Sequence, residues 1–170
     1  MSHPRRKLIY LLGFMGSGKS TVGKLLAEQL RWPFIDLDTV IEGGQGLTIR
    51  AIFENSGEPF FRQVERAALT EVSKSDPAVI ALGGGTFAQP ENVNFIRESR
   101  GTTVWLDCPS EILRRRCEGM QNRPLFRDAE SFHRLLAERL SFYQLADFRI
   151  STEDRSPREV VEDILRLGLF

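Results

Sequence analysis

Lys19 and Ser20 close the run Gly13-Phe14-Met15-Gly16-Ser17-Gly18-Lys19-Ser20, a complete G-x-x-x-x-G-K-[ST] pattern. Its residue types suit one chemistry, the binding of a nucleotide's phosphates. Gly13, Gly16 and Gly18 let the backbone wrap phosphate oxygens without Cβ clashes. The loop amides and the start of the following helix present aligned N–H dipoles to an anion. Lys19 can reach the β- and γ-phosphates, and the Ser20 hydroxyl can ligate Mg²⁺. A purely structural glycine turn has no need of Lys-Ser. Gly16, Ser17, Gly18, Lys19, Ser20 and Thr21 are therefore the nucleotide-binding candidates.

Further reactive types follow at separate places in the chain. Asp36 and Asp38 stand two apart at the end of an apolar run, Phe34-Ile35-Asp36-Leu37-Asp38. On a strand, side chains at i and i+2 share a side. Two carboxylates there could serve Mg²⁺ and a substrate hydroxyl, or form a solvated turn with a helix cap. Arg62 follows two aromatics near a helix start; it is either a solvated arginine or a bidentate anchor for a carboxylate. Gly83-Gly84-Gly85 exceeds what an ordinary turn requires and permits close approach of backbone to a ligand. Lys19, Arg62, Arg116, Arg123 and Arg139 come from separate segments. Together they match the charge of a triphosphate and an acidic acceptor, since phosphoryl transfer is mainly positioning and neutralisation.

The elements that must position these residues are legible. Continuous apolar runs at 8–12, 34–37, 79–82, 103–107 and 148–151 read as strands covered on both faces. Helical patterns lie at about 19–30, 48–55, 60–73, 91–98, 110–117, 131–145 and 157–167. Ser110 and Ser156 are expected N-caps, with Pro157 at N1 and Glu159 at N3 of the last helix. The β-α alternation predicts an α/β fold: three layers, α/β/α, around a central five-stranded parallel sheet. Residues 1–170 form one domain, with an inserted segment at about 39–78. A polar stretch at about 118–130 is either a surface loop or a lid over the phosphates.

Composition narrows the function classes. The chain has 170 residues and zero net charge, so no basic field favours nucleic acid. No apolar run approaches a membrane span, and none resembles a secretory core. Cys108 and Cys117 make no disulfide framework, which fits a cytoplasmic protein. His3 lies in a tail, His133 reads as a helix surface residue, neither cysteine has metal-ligand spacing, and Trp32 and Trp105 read as packing residues.

The motifs taken in order make a more specific pattern. The chain reads G-F-M-G-S-G-K-S-T, then D-L-D, G-E-x-x-F-R-x-x-E, A-L-G-G-G-T, N-R-P-L-F and E-R-L-S-F-Y-Q-L-A-D. Over about residues 8–165 it resembles the shikimate kinases, a P-loop family with the nucleoside-monophosphate-kinase fold. That resemblance implies ATP-dependent phosphorylation of the shikimate 3-hydroxyl, giving shikimate 3-phosphate for chorismate and aromatic amino-acid biosynthesis. It implies ATP and Mg²⁺ as cofactors. A monomer is expected, and the charge balance and the absence of a long apolar run predict no nucleic-acid or membrane partner.

Residue roles follow from the same resemblance. Lys19 and Ser20 serve the phosphates and Mg²⁺. Asp36 resembles a residue holding Mg²⁺ through water, and Asp38 the carboxylate that binds substrate hydroxyls and acts as base. Arg62 and Arg139 resemble the clamp on the shikimate carboxylate. Gly83, Gly84 and Gly85 resemble the pocket lining, with Gly84 meeting the γ-phosphate. Arg123 resembles the lid arginine touching substrate and transferring phosphate; Lys19, Asp38 and Arg123 form the catalytic set. Arg116 and Arg155-Ser156-Pro157 resemble the adenine cradle. Two positions depart from the family: Ser141 stands where R-x-P-L-Y has proline, and Leu82 where a Thr or Ser precedes the glycines.

Two other readings compete. A gluconate or nucleoside-monophosphate kinase would share the phosphate loop, but a nucleotide acceptor needs room for a base and a second phosphate. A non-catalytic nucleotide-binding homologue would tend to lack Lys19, Asp36, Asp38, Arg62 or Arg123, and all five are present.

Overall fold

The computed structural model describes residues 7–120 and 127–169. Five strands form one sheet: β1 (Leu8–Leu12), β2 (Phe34–Asp36), β3 (Ala78–Ala81), β4 (Thr102–Asp107) and β5 (Phe148–Ser151). Their order is β2-β3-β1-β4-β5, and every pair is parallel. All strands therefore end on one side of the sheet, where open α/β folds bind ligands.

Alternation along each strand builds the two faces. Leu8, Tyr10 and Leu12 of β1 join one apolar cluster, while Ile9 and Leu11 join the other. β4 divides likewise, with Trp105 on the first face and Val104 and Leu106 on the second. β1, β3 and β4 are buried on both faces, which is why they read as apolar runs. The edge strand β5, expected as a continuous run, instead alternates half-buried Phe148 and Ile150 with exposed Arg149 and Ser151. Two helices cover the second face: α1 (Lys19–Leu30), through Val22 and Leu26, and α7 (Pro157–Arg166), through Val160, Val161 and Ile164. The first face carries α2 (Leu37–Gln45), α3 (Ile49–Val72), α4 (Pro90–Glu98), α5 (Ser110–Glu118) and α6 (Ala129–Tyr143). The three-layer α/β/α arrangement around a five-stranded parallel sheet is the fold expected from the sequence.

The main correction lies after β2. The strand stops at Asp36, and residues 37–45 are helical, so Asp38 sits in the first turn of α2 rather than on a strand. Contrary to what their spacing predicted, Asp36 and Asp38 therefore do not share one side of a strand. Asp36 is the N-cap: its carboxylate accepts the Thr39 N–H at 3.3 Å, which starts the helix. Leu37 and Ile41, four apart, bury the helix against the core. Gly43-Gly44 hid this helix in the sequence, because glycine disfavours helical interiors.

Other differences are local. The two helices expected at 48–55 and 60–73 are both present as the halves of α3, separated at Gly57, whose φ of 78° and ψ of 171° are not helical. Pro59, just beyond, suits the start of its second half. Ser110 is the first helical residue of α5, and Pro109 occupies the N-cap with no side-chain bond. α6 begins earlier than expected because Asp128 and Ser131 form a reciprocal capping box. Ser156 and Glu159 form the expected box at α7.

Candidate active site

The phosphate loop leaves β1 and turns into α1. Gly16 and Gly18 have φ of 80° and 94°, conformations that side chains resist. The Ser17 N–H closes the turn on the Phe14 carbonyl at 3.1 Å, and its hydroxyl is buried beneath the loop. The Lys19 ammonium donates to the Gly13 and Phe14 carbonyls at 2.8 and 3.1 Å, which holds its charge across the loop. Ser20 donates its hydroxyl to Asp36 at 2.6 Å, joining the start of α1 to the end of β2.

Two cavities meet there. The first, about 530 Å³, is lined by Gly16, Gly18, Lys19, Ser20, Thr21, Arg116 and Pro157 among others. Arg116, from α5, donates to the Gly16 carbonyl at 2.7 Å and so lies against the loop. The second, about 470 Å³, is lined by Arg62, Gly83, Gly84, Gly85, Arg139 and the α2–α3 insertion. Met15, Ser20, Asp36, Asp38, Gly84 and Met120 line both, so an acceptor and a phosphate chain would meet at that seam.

The second cavity is built around converging cations. Arg62 donates to Glu65 at 2.8 Å and to Glu58 at 3.1 and 3.3 Å. Glu65 is 1% exposed, and its other oxygen accepts the Thr86 hydroxyl at 2.8 Å. Arg139 is 4% exposed, and its Nη1 is buried with no acceptor among the described residues. Burial pulls its pKa down, and the neighbouring Arg62 charge pulls the same way, while Tyr143 and Glu65 oppose them. Two guanidiniums facing one polar cavity, one with an unsatisfied buried donor, make a receptor for an anion.

The glycines explain themselves by space. A Cβ on Gly83 would lie 2.8 Å from Asp38 Oδ1. One on Gly84 would lie 3.0 Å from Arg139 Nη1, and one on Gly85 2.8 Å from Arg62 Nη2 and 3.1 Å from Arg139 Nη2. None of the three needs a left-handed backbone; they are small because charged groups occupy the space beside them.

Of the residues singled out in the sequence, Gly16, Gly18, Lys19, Ser20, Thr21, Asp36, Asp38, Arg62, Gly83, Gly84, Gly85, Arg116, Arg139 and Pro157 line one or both cavities. Arg155 instead pairs with Asp163 of α7 and lines neither. Arg123, with residues 121–126 of the proposed lid, lies outside the described residues. Leu82 is buried and lines the phosphate cavity, so no hydroxyl stands there. The sequence reading missed the work of Glu65, Thr86 and Tyr143. Glu65 was legible as an i+3 partner of Arg62 on a helix. Thr86 and Tyr143 gave no local signal, because their partners lie 21 and 59 residues away.

Fold and site together define a P-loop kinase for a small acidic acceptor: a phosphate loop after β1 shares a seam of carboxylates with a cavity of arginines. A family model described as shikimate kinase matches residues 15–167. A shikimate kinase of Persephonella marina is 45% identical, covering 92% of this chain and 96% of its own. The structure of a shikimate kinase from Acinetobacter baumannii in complex with shikimate aligns with a TM-score of 0.90 at 38% identity. It covers 95% of this chain and 92% of that one. The crystal structure of the Aquifex aeolicus shikimate kinase gives 0.84 at 43% identity, covering 94% of each. The chain belongs to the shikimate kinase family.

Proposed function

We propose that this chain transfers the γ-phosphoryl group of ATP to the 3-hydroxyl of shikimate, giving shikimate 3-phosphate and ADP, a step of aromatic amino-acid biosynthesis. The observation that carries this reading is the buried, unsatisfied Arg139 Nη1 beside Arg62, in a cavity that meets the phosphate loop at Asp38. A gluconate acceptor would bring a carboxylate too, but family membership favours shikimate.

The residues divide the work. Arg62 and Arg139 hold the shikimate carboxylate at the far wall. Asp38, at the seam, orients the reacting hydroxyl and accepts its proton as the oxygen attacks the γ-phosphorus and the bond to ADP breaks. Gly83 leaves Asp38 the space it needs. Lys19 and the loop amides hold the phosphates, and Arg116 and Pro157 border the nucleotide. Ser20 and Asp36 offer two hard oxygens 2.6 Å apart at the seam, a donor set that suits Mg²⁺. Among the described residues no cluster of three His, Cys, Asp or Glu could hold a metal, which fits an ion carried mostly by phosphate and water. When bound there, Mg²⁺ supplies charge neutralisation on the phosphates.

The chain acts as one kinase domain, with residues 39–78 as the acceptor insertion and about 118–130, including Arg123, as the lid. It works as a cytoplasmic monomer without nucleic-acid or membrane partners. Zero net charge supports the independence from nucleic acid, and no described helix is long and apolar enough to cross a membrane. The test is ADP release measured over shikimate, quinate, gluconate and nucleoside monophosphates. Shikimate should be preferred by about a hundredfold in kcat/KM, a factor that the roughly 1–3 kcal/mol cost of leaving one buried polar group unpaired reaches; a gluconate preference would overturn the reading.

A further inference from the structure

We infer that Tyr143 is a positioning residue for the transfer, fixing Arg139 and the Gly84 peptide in register with one another. The inference rests on the reading of Arg139 as the carboxylate receptor.

Tyr143 ends α6 and is 1% exposed. Its hydroxyl donates to the Gly84 carbonyl at 2.5 Å, a contact 59 residues apart in sequence. Arg139 lies one turn earlier on the same helix, so the two side chains share a face. A Cβ on Gly84 would lie 3.0 Å from Arg139 Nη1, so the guanidinium and the phenol both meet the Gly84 residue. Burial pushes the phenol up to about 12, so it stays a protonated donor at neutral pH. Trp105 packs against the ring at 6.0 Å between centroids, limiting its freedom.

The consequence follows from peptide geometry. The Gly84 carbonyl and the Gly85 N–H belong to one planar trans unit and point opposite ways. Pinning the carbonyl to Tyr143 therefore aims the Gly85 N–H away from α6. Gly84 also lies against both Arg139 and the Met15 N–H of the phosphate loop: a Cβ there would be 3.0 and 3.4 Å from them. One hydroxyl thus ties the acceptor's cation to the strand end that faces the phosphate loop. The Gly83 and Gly85 carbonyls are held by the Thr86 and Ala88 N–H groups at 3.1 Å each, so the Gly84 carbonyl between them is the one that Tyr143 fixes.

The test is Tyr143→Phe, Arg139→Lys and the double variant, with Leu136→Ala as a control on the same buried helix face. Tyr143→Phe should lower kcat/KM for shikimate about tenfold and leave the ATP KM within about twofold, as loss of one hydrogen bond to a positioned group predicts. Leu136→Ala should lower Tm without that split. The double variant should lose little more than the worse single variant, because both changes act on one unit. Equal changes in both KM values for Tyr143→Phe, or full additivity in the double variant, would overturn the inference. If Arg139→Lys alone leaves shikimate KM unchanged, the reading of Arg139 fails and this inference falls with it. If Arg139→Lys raises KM and Tyr143→Phe does nothing, only the inference fails.

Discussion

Ser20 donates its hydroxyl to Asp36 at 2.6 Å, joining the last residue of the phosphate loop to the last residue of the second strand. Asp38, two residues on, stands in the first turn of a helix and faces Gly83 instead. The carboxylates are neighbours in sequence but lie on different elements, and their replacement should separate. Asp36→Asn should raise the Mg²⁺ concentration needed for half-maximal rate, with partial recovery at high Mg²⁺. Asp38→Asn should lose turnover by about a hundredfold or more without recovery, because an amide cannot take the hydroxyl proton. Mg²⁺ titrations of both variants at saturating substrates decide it; rescue of Asp38→Asn alone would reverse the roles.

Lys19→Ala should lower kcat by about a hundredfold or more while leaving the circular dichroism spectrum and Tm close to the parent, since the ammonium bonds loop carbonyls rather than core. Retained activity in the folded variant would remove the phosphate-loop assignment.

Arg62→Lys keeps the charge but loses the fork that reaches Glu58, Glu65 and the cavity. Shikimate KM should rise about tenfold, with ATP KM little changed. Matching increases for both substrates would mark Arg62 as structural.

Gly85→Ala should act through the same cations. The added methyl meets Arg62 Nη2 and Arg139 Nη2 rather than backbone, so the fold survives and the side-chain tips move. A rise in shikimate KM larger than the drop in stability would be the sign, measured by kinetics and thermal melts in parallel. A large stability loss with unchanged KM would mean that the backbone, not the arginines, had shifted.

Stability should fall at alkaline pH in a way that Tyr143 controls. Its folded pKa is raised to about 12 from the ordinary 10, so the unfolded chain loses this proton first. Between pH 10 and 12 the unfolded state binds fewer protons, and stability declines as pH rises. Below pH 10 both states hold the proton and the contribution is fully present. Chemical denaturation across that range should show a shallower decline in Tyr143→Phe than in the parent.

Much of the fold and part of the site were written locally. The phosphate loop is contiguous, so its glycines, Lys19 and Ser20 could be read together. The central strands β1, β3 and β4 were legible because a parallel sheet buried on both faces demands apolar runs. The α7 start was legible because its capping box spans four residues. Where local signals conflicted, the reading failed: Gly43-Gly44 masked a helix whose start depends on the Asp36 cap.

The sequence by itself determined the layers, the phosphate loop and the chemical types available for transfer, since these depend on contiguous residues and short periodicities. Only the tertiary structure decided which of them converge. It set Asp38 on a helix against Gly83, and it withdrew Arg155 into a pair with Asp163. It left the Arg139 Nη1 buried and unsatisfied beside Arg62, and it tied Tyr143 to a glycine 59 residues away. Such relationships depend on how the helices pack over the sheet ends. No local propensity encodes the distance between side chains carried by separate elements.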